Sequence, residues 1–254
     1  MAKLHVGKDF WVASLRGDGA AFRAAVGRPG ALALPVPSRP DWTVLELVRH
    51  LGAVYRWVHV HANRGVTTRP ESMVNVDDVP TDASALPWWD ERYAELLAVL
   101  DALDPSLPAW NWAPQAKRGE FWHRRMAHET AINRWDAQMS VGISDPIEAK
   151  LASDGVSEVL DTWLPAGRRT GPRDRHGVVG LHASDVGQLW HVRLRGEGVA
   201  LLDLDTLLDA HTRPERAVAT GTASDLNLAL WGRVGFDVLD VTGDATLLEV
   251  LRVG

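Results

Sequence analysis

The chain has 254 residues, 46% of them hydrophobic and 24% charged, with a net charge of −6, which leaves room for two water-soluble domains and argues against a nucleic-acid or anionic-membrane surface. No window approaches the about 20 apolar residues of a membrane span; Asp9 and Arg16 break the opening MAKLHVGKDFWVASLRGDG, so it reads as neither a signal peptide nor an anchor, and the expected location is the cytoplasm. Cysteine is absent, which removes disulfides, thiolate metal sites and a cysteine nucleophile, so any thiol chemistry has to borrow its thiol.

The first two thirds read as helices joined by proline-rich loops. Residues 5–26 carry a helical stripe through Phe10, Leu15, Phe22 and Val26, weakened by Gly17 and Gly19. Residues 27–41, with four prolines and two glycines, read as a loop. Thr43 and Glu46 form a capping-box pattern at the start of a second helix with the stripe Leu47, Leu51, Val54 and Val58, which runs to about Asn63 and ends at Gly65. Residues 66–87 read as loop. A third helix is expected over 88–103, a fourth over 118–141 and a shorter one over 147–163, ending at Pro165.

The period then changes. GRRTGPRDR, 167–175, is basic and without apolar periodicity, which makes it the expected linker between a helical domain, 1–166, and a second domain, 176–254. QLWHVRLRG alternates apolar Trp190, Val192 and Leu194 with polar neighbours, as a half-buried strand does. Gly196-Glu197-Gly198 turns it into GVALLDLD (198–205), a hairpin partner. AVATGTAS reads as a strand leading to Ser224 as the cap of the helix DLNLALWGR; FDVLDVTGD reads as another strand and ATLLEVL as a closing helix. The expected fold is a four-helix bundle followed by a small α+β domain. Twelve tryptophans against four phenylalanines and two tyrosines read first as large core fillers.

The chemically informative stretch is HETAINRWDA, 128–137. On a helix, Glu129, Asn133 and Asp136 fall at i, i+4 and i+7 in one narrow sector, flanked by Trp122, Met126, Ile132, Trp135 and Met139. A carboxylate among such neighbours has to be paired, protonated or metal-bound. An acid and a second donor one helical turn apart is the geometry of a helix-borne metal site, with an amide as the second donor here. The segment is not a zincin HExxH helix, because Ile132 stands where the second histidine belongs. There is no GxSxG elbow, no phosphate loop and no GxGxxG ahead of a helix.

His50, in ELVRHLGAV, lies beside the apolar stripe of the second helix, where it is either a packing residue or, with Glu129 and Asn133 on a facing helix, part of a site. His59 and His61 read as solvent-side. Asp136 reads either as a partner for an arginine such as Arg134 or as a functional acid. Arg233, in LWGR, ends an apolar helix and either meets its terminal carbonyls or forks onto a carboxylate ligand.

DWTVLELVRHLGAVYRWV, RRMAHETAINRWDA and AVATGTASDLNLALWGR, followed by VTGD and LLEVL, resemble the mycothiol-dependent maleylpyruvate isomerase family of actinobacteria, over nearly the whole chain and in the same order. The resemblance implies a DinB-type bundle followed by a sterol-carrier-protein-type domain. It implies a divalent metal, zinc in the family, held by His50, Glu129 and the position of Asn133, where the family has histidine. An amide oxygen is a harder and weaker donor than imidazole, so three outcomes stand open: a weakened metal site, rescue by Asp136 or His61, or no metal. The implied activity is thiol-dependent isomerisation or S-transfer on an electrophilic small molecule, with mycothiol or a similar thiol, and Arg233 facing the substrate's carboxylate. The expected site is therefore His50, Glu129 and Asn133 for metal, Arg233 and Asp136 for catalysis, and Trp57 and Trp135 for cofactor contact. The partners expected are a small-molecule substrate and the thiol, for a monomer or homodimer. The alternative is a metal-free small-molecule-binding protein, or a repurposed enzyme, with its ligand among Trp57, Trp122 and Trp135.

Overall fold

The computed structural model describes residues 6–70, 78–202 and 216–254. The chain divides into two compact units, Met1–Trp112 with Ala116–Asp145, and Ala113–Gln115 with Pro146–Gly254.

The first unit is a helical bundle of α1 (Lys8–Val26), α2 (Val44–His61), α3 (Ala85–Ala102) and α4 (Glu120–Ser140). α1 packs along α4, and α2 packs against α3 and α4. Leu15, Phe22, Leu47, Leu51, Tyr55, Trp89, Leu96, Leu100 and Met126 form the core; each large aliphatic or aromatic side chain taken from water contributes about 2 kcal/mol. Gly17 and Gly19 do not break α1, and Gly19 is where the Tyr93 ring comes close to the helix, its hydroxyl donating to the Leu15 carbonyl at 3.0 Å. Thr43 caps α2 in the expected capping box, with its backbone N–H 2.9 Å from Glu46 Oε2.

The stretch expected as a loop, 27–41, folds further than its prolines suggest. It holds a two-stranded antiparallel hairpin, β1 (Pro35–Val36) and β2 (Arg39–Thr43), with Val36 opposite Arg39. So short an edge pairing tolerates prolines because few ladder N–H groups are needed. Of the loop expected over 66–87, residues 71–77 lie outside the described residues, and so does residue 5 of the first helix.

The second unit contains α5 (Ala149–Glu158), which continues as a π-helical turn, Val159–Trp163, and α6 (Ala223–Leu230). Its sheet is built from β3 (His176–Ala183), β4 (Gln188–Arg195), β5 (Gly198–Leu202), β6 (Arg216–Gly221) and β7 (Asp240–Gly243). The strand order is β5-β4-β3-β6-β7. β3 and β6 run parallel and the other neighbours antiparallel. The expected hairpin of β4 and β5 forms; residues 203–205 of its second arm lie outside the described residues. β3 has no counterpart in the sequence reading, because a central strand buried on both faces shows an apolar run and no alternation.

Two boundaries differ from expectation. The helix over 149–163 belongs to the second unit, so the division falls after Asp145 and ahead of 167–175. α5 packs on α6 with Gly155 against the Asn227 side chain, and the Ile147 N–H donates to Ser224 Oγ at 3.0 Å. The cap of α6 is Thr222, whose Oγ1 accepts from the Asp225 N–H at 3.1 Å; Ser224 sits inside the helix, its hydroxyl engaged with Ile147. The closing segment, Ala245–Leu251, is a 3-10 helix.

Candidate functional site

α4 is unusual in what it buries. His123, Arg125, His128, Asn133, Arg134, Asp136 and Gln138 are all removed from solvent along with its apolar residues. Buried polar groups of this kind need partners, and the partners draw the site.

Glu129 is the hub. His50 Nε2 of α2 lies 3.3 Å from Glu129 Oε1, across 79 residues of sequence. Arg125, one turn earlier on α4 and 4% exposed, pairs with Glu129 Oε2 at 3.1 Å. Asn133, one turn later, donates its amide N–H group to the Glu129 carbonyl at 2.7 Å and to Oε1 at 3.2 Å. The hairpin closes one side: the Trp42 ring meets the His50 ring edge-on at 5.2 Å, and the Arg39 guanidinium lies over Trp42 at 4.4 Å. Burial pushes the Glu129 carboxyl up, but the hydrogen bond from His50 and the charges of Arg125, His50 and Arg39 outweigh it and hold the group well below the usual carboxylate range. Glu129 is an ionised acid clamped from three directions.

Asp136 shares the Glu129 face of α4, two turns on. It is fully buried and its Oδ1 accepts from Ser38 Oγ at the hairpin tip, 2.6 Å away. Arg134 pairs with Asp18 of α1 at 3.0 Å and donates to Gln138 at 2.7 Å and to the Asp145 carbonyl at 2.8 Å. Trp57 packs with Trp122 at 5.4 Å, Trp110 at 5.8 Å and His61 at 4.7 Å; it shares the His50 face of α2, two turns away. Trp135 is 7% exposed, and six residues from Glu129 place it on another face of α4. Arg233 lies in the second unit, where its Nη1 donates to the Trp231 carbonyl at 2.8 Å, an engagement with a helix-end carbonyl.

The sequence reading named His50, Glu129 and Asn133, and the structure brings these three together. It did not name Arg125, Arg39, Trp42 or Ser38. Arg125 carried a local signal, a cation four residues ahead of an acid on one helix; the other three arrive through the hairpin.

The fit of a divalent metal can be tested on these atoms. Donors to one tetrahedral zinc lie about 3.3–3.5 Å apart, so the His50–Glu129 separation of 3.3 Å suits it. The donor set does not. An amide nitrogen has no lone pair to give, and Asn133 presents its nitrogen, fixed there by the Glu129 carbonyl. Turning the amide would set its oxygen against two acceptors. The second Glu129 oxygen belongs to a guanidinium, and both arginines would repel a dication. His61 lies eleven residues along α2 from His50, about 16 Å, and Asp136 seven residues along α4 from Glu129, about 10 Å, too far for either to complete the set. No group of three or more His, Cys, Asp or Glu side chains suited to a metal ion occurs among the described residues. The residues present do not fit a divalent ion.

The sequence profile of the mycothiol maleylpyruvate isomerase N-terminal domain matches residues 12–138, a span that contains every bundle residue of the site. The chain belongs to this family. In fold it is similar to the crystal structure of the mycothiol-dependent maleylpyruvate isomerase, at 13% identity and a TM-score of 0.63 over 95% of this chain and 96% of that one. It is similar also to a histidine-to-alanine mutant of that enzyme, at 13% identity and a TM-score of 0.62 over 95% and 96%. No curated protein matches the chain. The mixed architecture, a helical bundle with an α+β unit, is that of the maleylpyruvate isomerase fold.

Proposed function

We propose that the chain is a thiol-dependent enzyme, an isomerase or S-transferase acting on an electrophilic small molecule, with mycothiol or a similar low-molecular-weight thiol as its co-substrate. The observation that carries this reading is the convergence of His50 and Glu129 from separate helices to 3.3 Å, inside the span matched by the family. The absence of cysteine from the chain agrees with a borrowed thiol.

The pair supplies base chemistry from the chain's own atoms. An ionised Glu129 accepts the Nε2–H of His50 and so selects the tautomer whose lone pair is on Nδ1. His50, with its side chain 33% exposed, then takes the thiol proton at Nδ1, and Glu129 balances the imidazolium, the same division of labour as in other nucleophile–base–orienter sets. The thiolate adds to a carbon–carbon double bond conjugated to a carbonyl, and the electron pair moves onto the carbonyl oxygen. In an isomerase the new single bond rotates before the thiolate leaves; in a transferase the adduct takes a proton and is kept. Arg39 and Arg125 supply positive potential beside the developing anion. Asp136 is a positioning residue that holds the hairpin carrying Arg39 and Trp42, and Trp57 borders the His50 face of α2 two turns on.

We place the protein in the cytoplasm as a monomer or homodimer; the net charge of −6 argues against a nucleic acid or an anionic membrane as its partner, and no described helix is long and apolar enough to cross a membrane. The test is turnover of a panel of cis-unsaturated keto acids and epoxides with and without mycothiol. Thiol-dependent turnover that falls about a hundredfold or more in His50→Gln is expected. Turnover that ignores the thiol sinks the thiol-dependent reading; none with any electrophile, alongside tight binding of an aromatic ligand, sinks the enzyme reading and leaves a binding protein.

A further inference from the structure

We infer that the bundle site takes no divalent ion, and that the Arg125 guanidinium and the Asn133 amide hold the Glu129 carboxylate in the place a metal would. This rests on the reading of the His50–Glu129 pair as the reaction site and says how that site is neutralised.

Two features point the same way. Both Glu129 oxygens are engaged inside the protein, Oε2 by Arg125 at 3.1 Å and Oε1 by Asn133 at 3.2 Å and His50 at 3.3 Å. Asn133 is 1% exposed, and its orientation is fixed by the 2.7 Å bond to the Glu129 carbonyl, so the atom turned to the carboxylate is a donor and not a ligand. Its Oδ1 finds no hydrogen-bond partner among the described residues. A buried acceptor left unmatched is costly, and the two bonds from the same amide to Glu129 oppose that cost. The positive charge is therefore built in permanently, as an arginine on the same helix as the acid it neutralises. An imidazole at 133 would offer a lone pair where the amide offers hydrogen, so one substitution separates a fixed-cation site from a metal site.

The experiment uses the full-length protein purified without chelator. Elemental analysis is expected to find less than about a tenth of an equivalent of zinc, manganese, iron, cobalt or nickel, and added zinc is expected to leave the thermal midpoint unchanged, since only an ion that binds the native state raises it. Asn133→His is expected to bind zinc about a hundredfold tighter than the natural protein, of the order that ligand-shell changes produce, and to gain a zinc-dependent rise in midpoint. Should that variant fail to fold, Asn133→Asp supplies an anionic oxygen donor at the same position for the same measurement. About one equivalent of metal in the natural protein, lost in Glu129→Gln, overturns the inference. So does a folded Asn133→His that takes up no more zinc than the natural protein. Metal content is read without turnover, so a metal-free protein with no thiol-dependent activity defeats the proposed function alone, and a zinc-loaded, thiol-dependent one defeats this inference alone.

Discussion

Ser38 and Asp136, 98 residues apart, share a 2.6 Å hydrogen bond that fastens the tip of the β1–β2 hairpin to α4. The same hairpin presents Arg39 and Trp42 beside His50, so the bond bears on site geometry as well as stability. Asp136→Ala is expected to cost about 1–3 kcal/mol, and Ser38→Ala about 1 kcal/mol, read from urea denaturation. Limited chymotrypsin digestion is expected to cut faster after Trp42 in both variants. Under a positioning role KM and kcat both shift in Ser38→Ala; under direct proton transfer by Asp136, Ser38→Ala leaves kcat unchanged.

The lowered Glu129 carboxyl makes part of the stability pH-dependent. Its folded-state value lies below the ordinary 4.5, so its contribution is fully present above that pH and is lost as the pH falls through the folded value. Glu129→Gln is expected to be less stable than the natural protein at neutral pH, because Arg125 loses its counter-charge. The gap should narrow as the pH drops below about 4.5. Urea midpoints for the two proteins measured from neutral to acidic pH check it; a gap that stays constant removes Glu129 as the group responsible.

The capping box sets where α2 begins, and α2 carries His50. Thr43→Ala is expected to cost about 1 kcal/mol, visible as a lower denaturation midpoint with an unchanged denaturant slope. A fall in slope instead would report a loosened native state.

How much of this was written locally varies by element. The start of α2 was legible because Thr43 and Glu46 are neighbours in sequence, and the alignment of Glu129, Asn133 and Asp136 because a helix repeats every few residues. The hairpin was hidden by its prolines, which mark a loop unless Ser38 finds a distant acid. β3 was hidden by burial on both faces, which erases alternation. The unit boundary was misread because 167–175 looks like a linker in composition, while the packing of α5 on α6 is tertiary. Asn133 was legible as a departure from the family pattern; which way its amide faces was not, because the Glu129 backbone carbonyl decides it.

Two glycines in helices give opposite expectations. A methyl group at Gly52 of α2 would run into the Trp88 ring of α3, so Gly52→Ala is expected to destabilise by about 1–3 kcal/mol through overpacking. Gly17 of α1 has open space around the same position, and Gly17→Ala is expected to stabilise by about 0.5–1 kcal/mol by reducing the freedom of the unfolded chain. Thermal unfolding of the two variants, measured side by side, should move the midpoint in opposite directions.

The dense polar burial of α4 also governs how the site moves. A helix with buried arginines, an asparagine, an aspartate and a glutamine around it has no amphipathic stripe to hold it on one neighbour while it parts from another. Each separation strands a charge or an amide, so α4 is expected to open only when the whole bundle does. Backbone amides from Arg125 to Asp136 should then exchange with deuterium at the rate set by global unfolding, while the ends of α1 and α3 fray earlier. The acid at the centre of the proposed chemistry would sit in the most slowly exchanging part of the molecule, and any motion needed for turnover would fall to the groups around it.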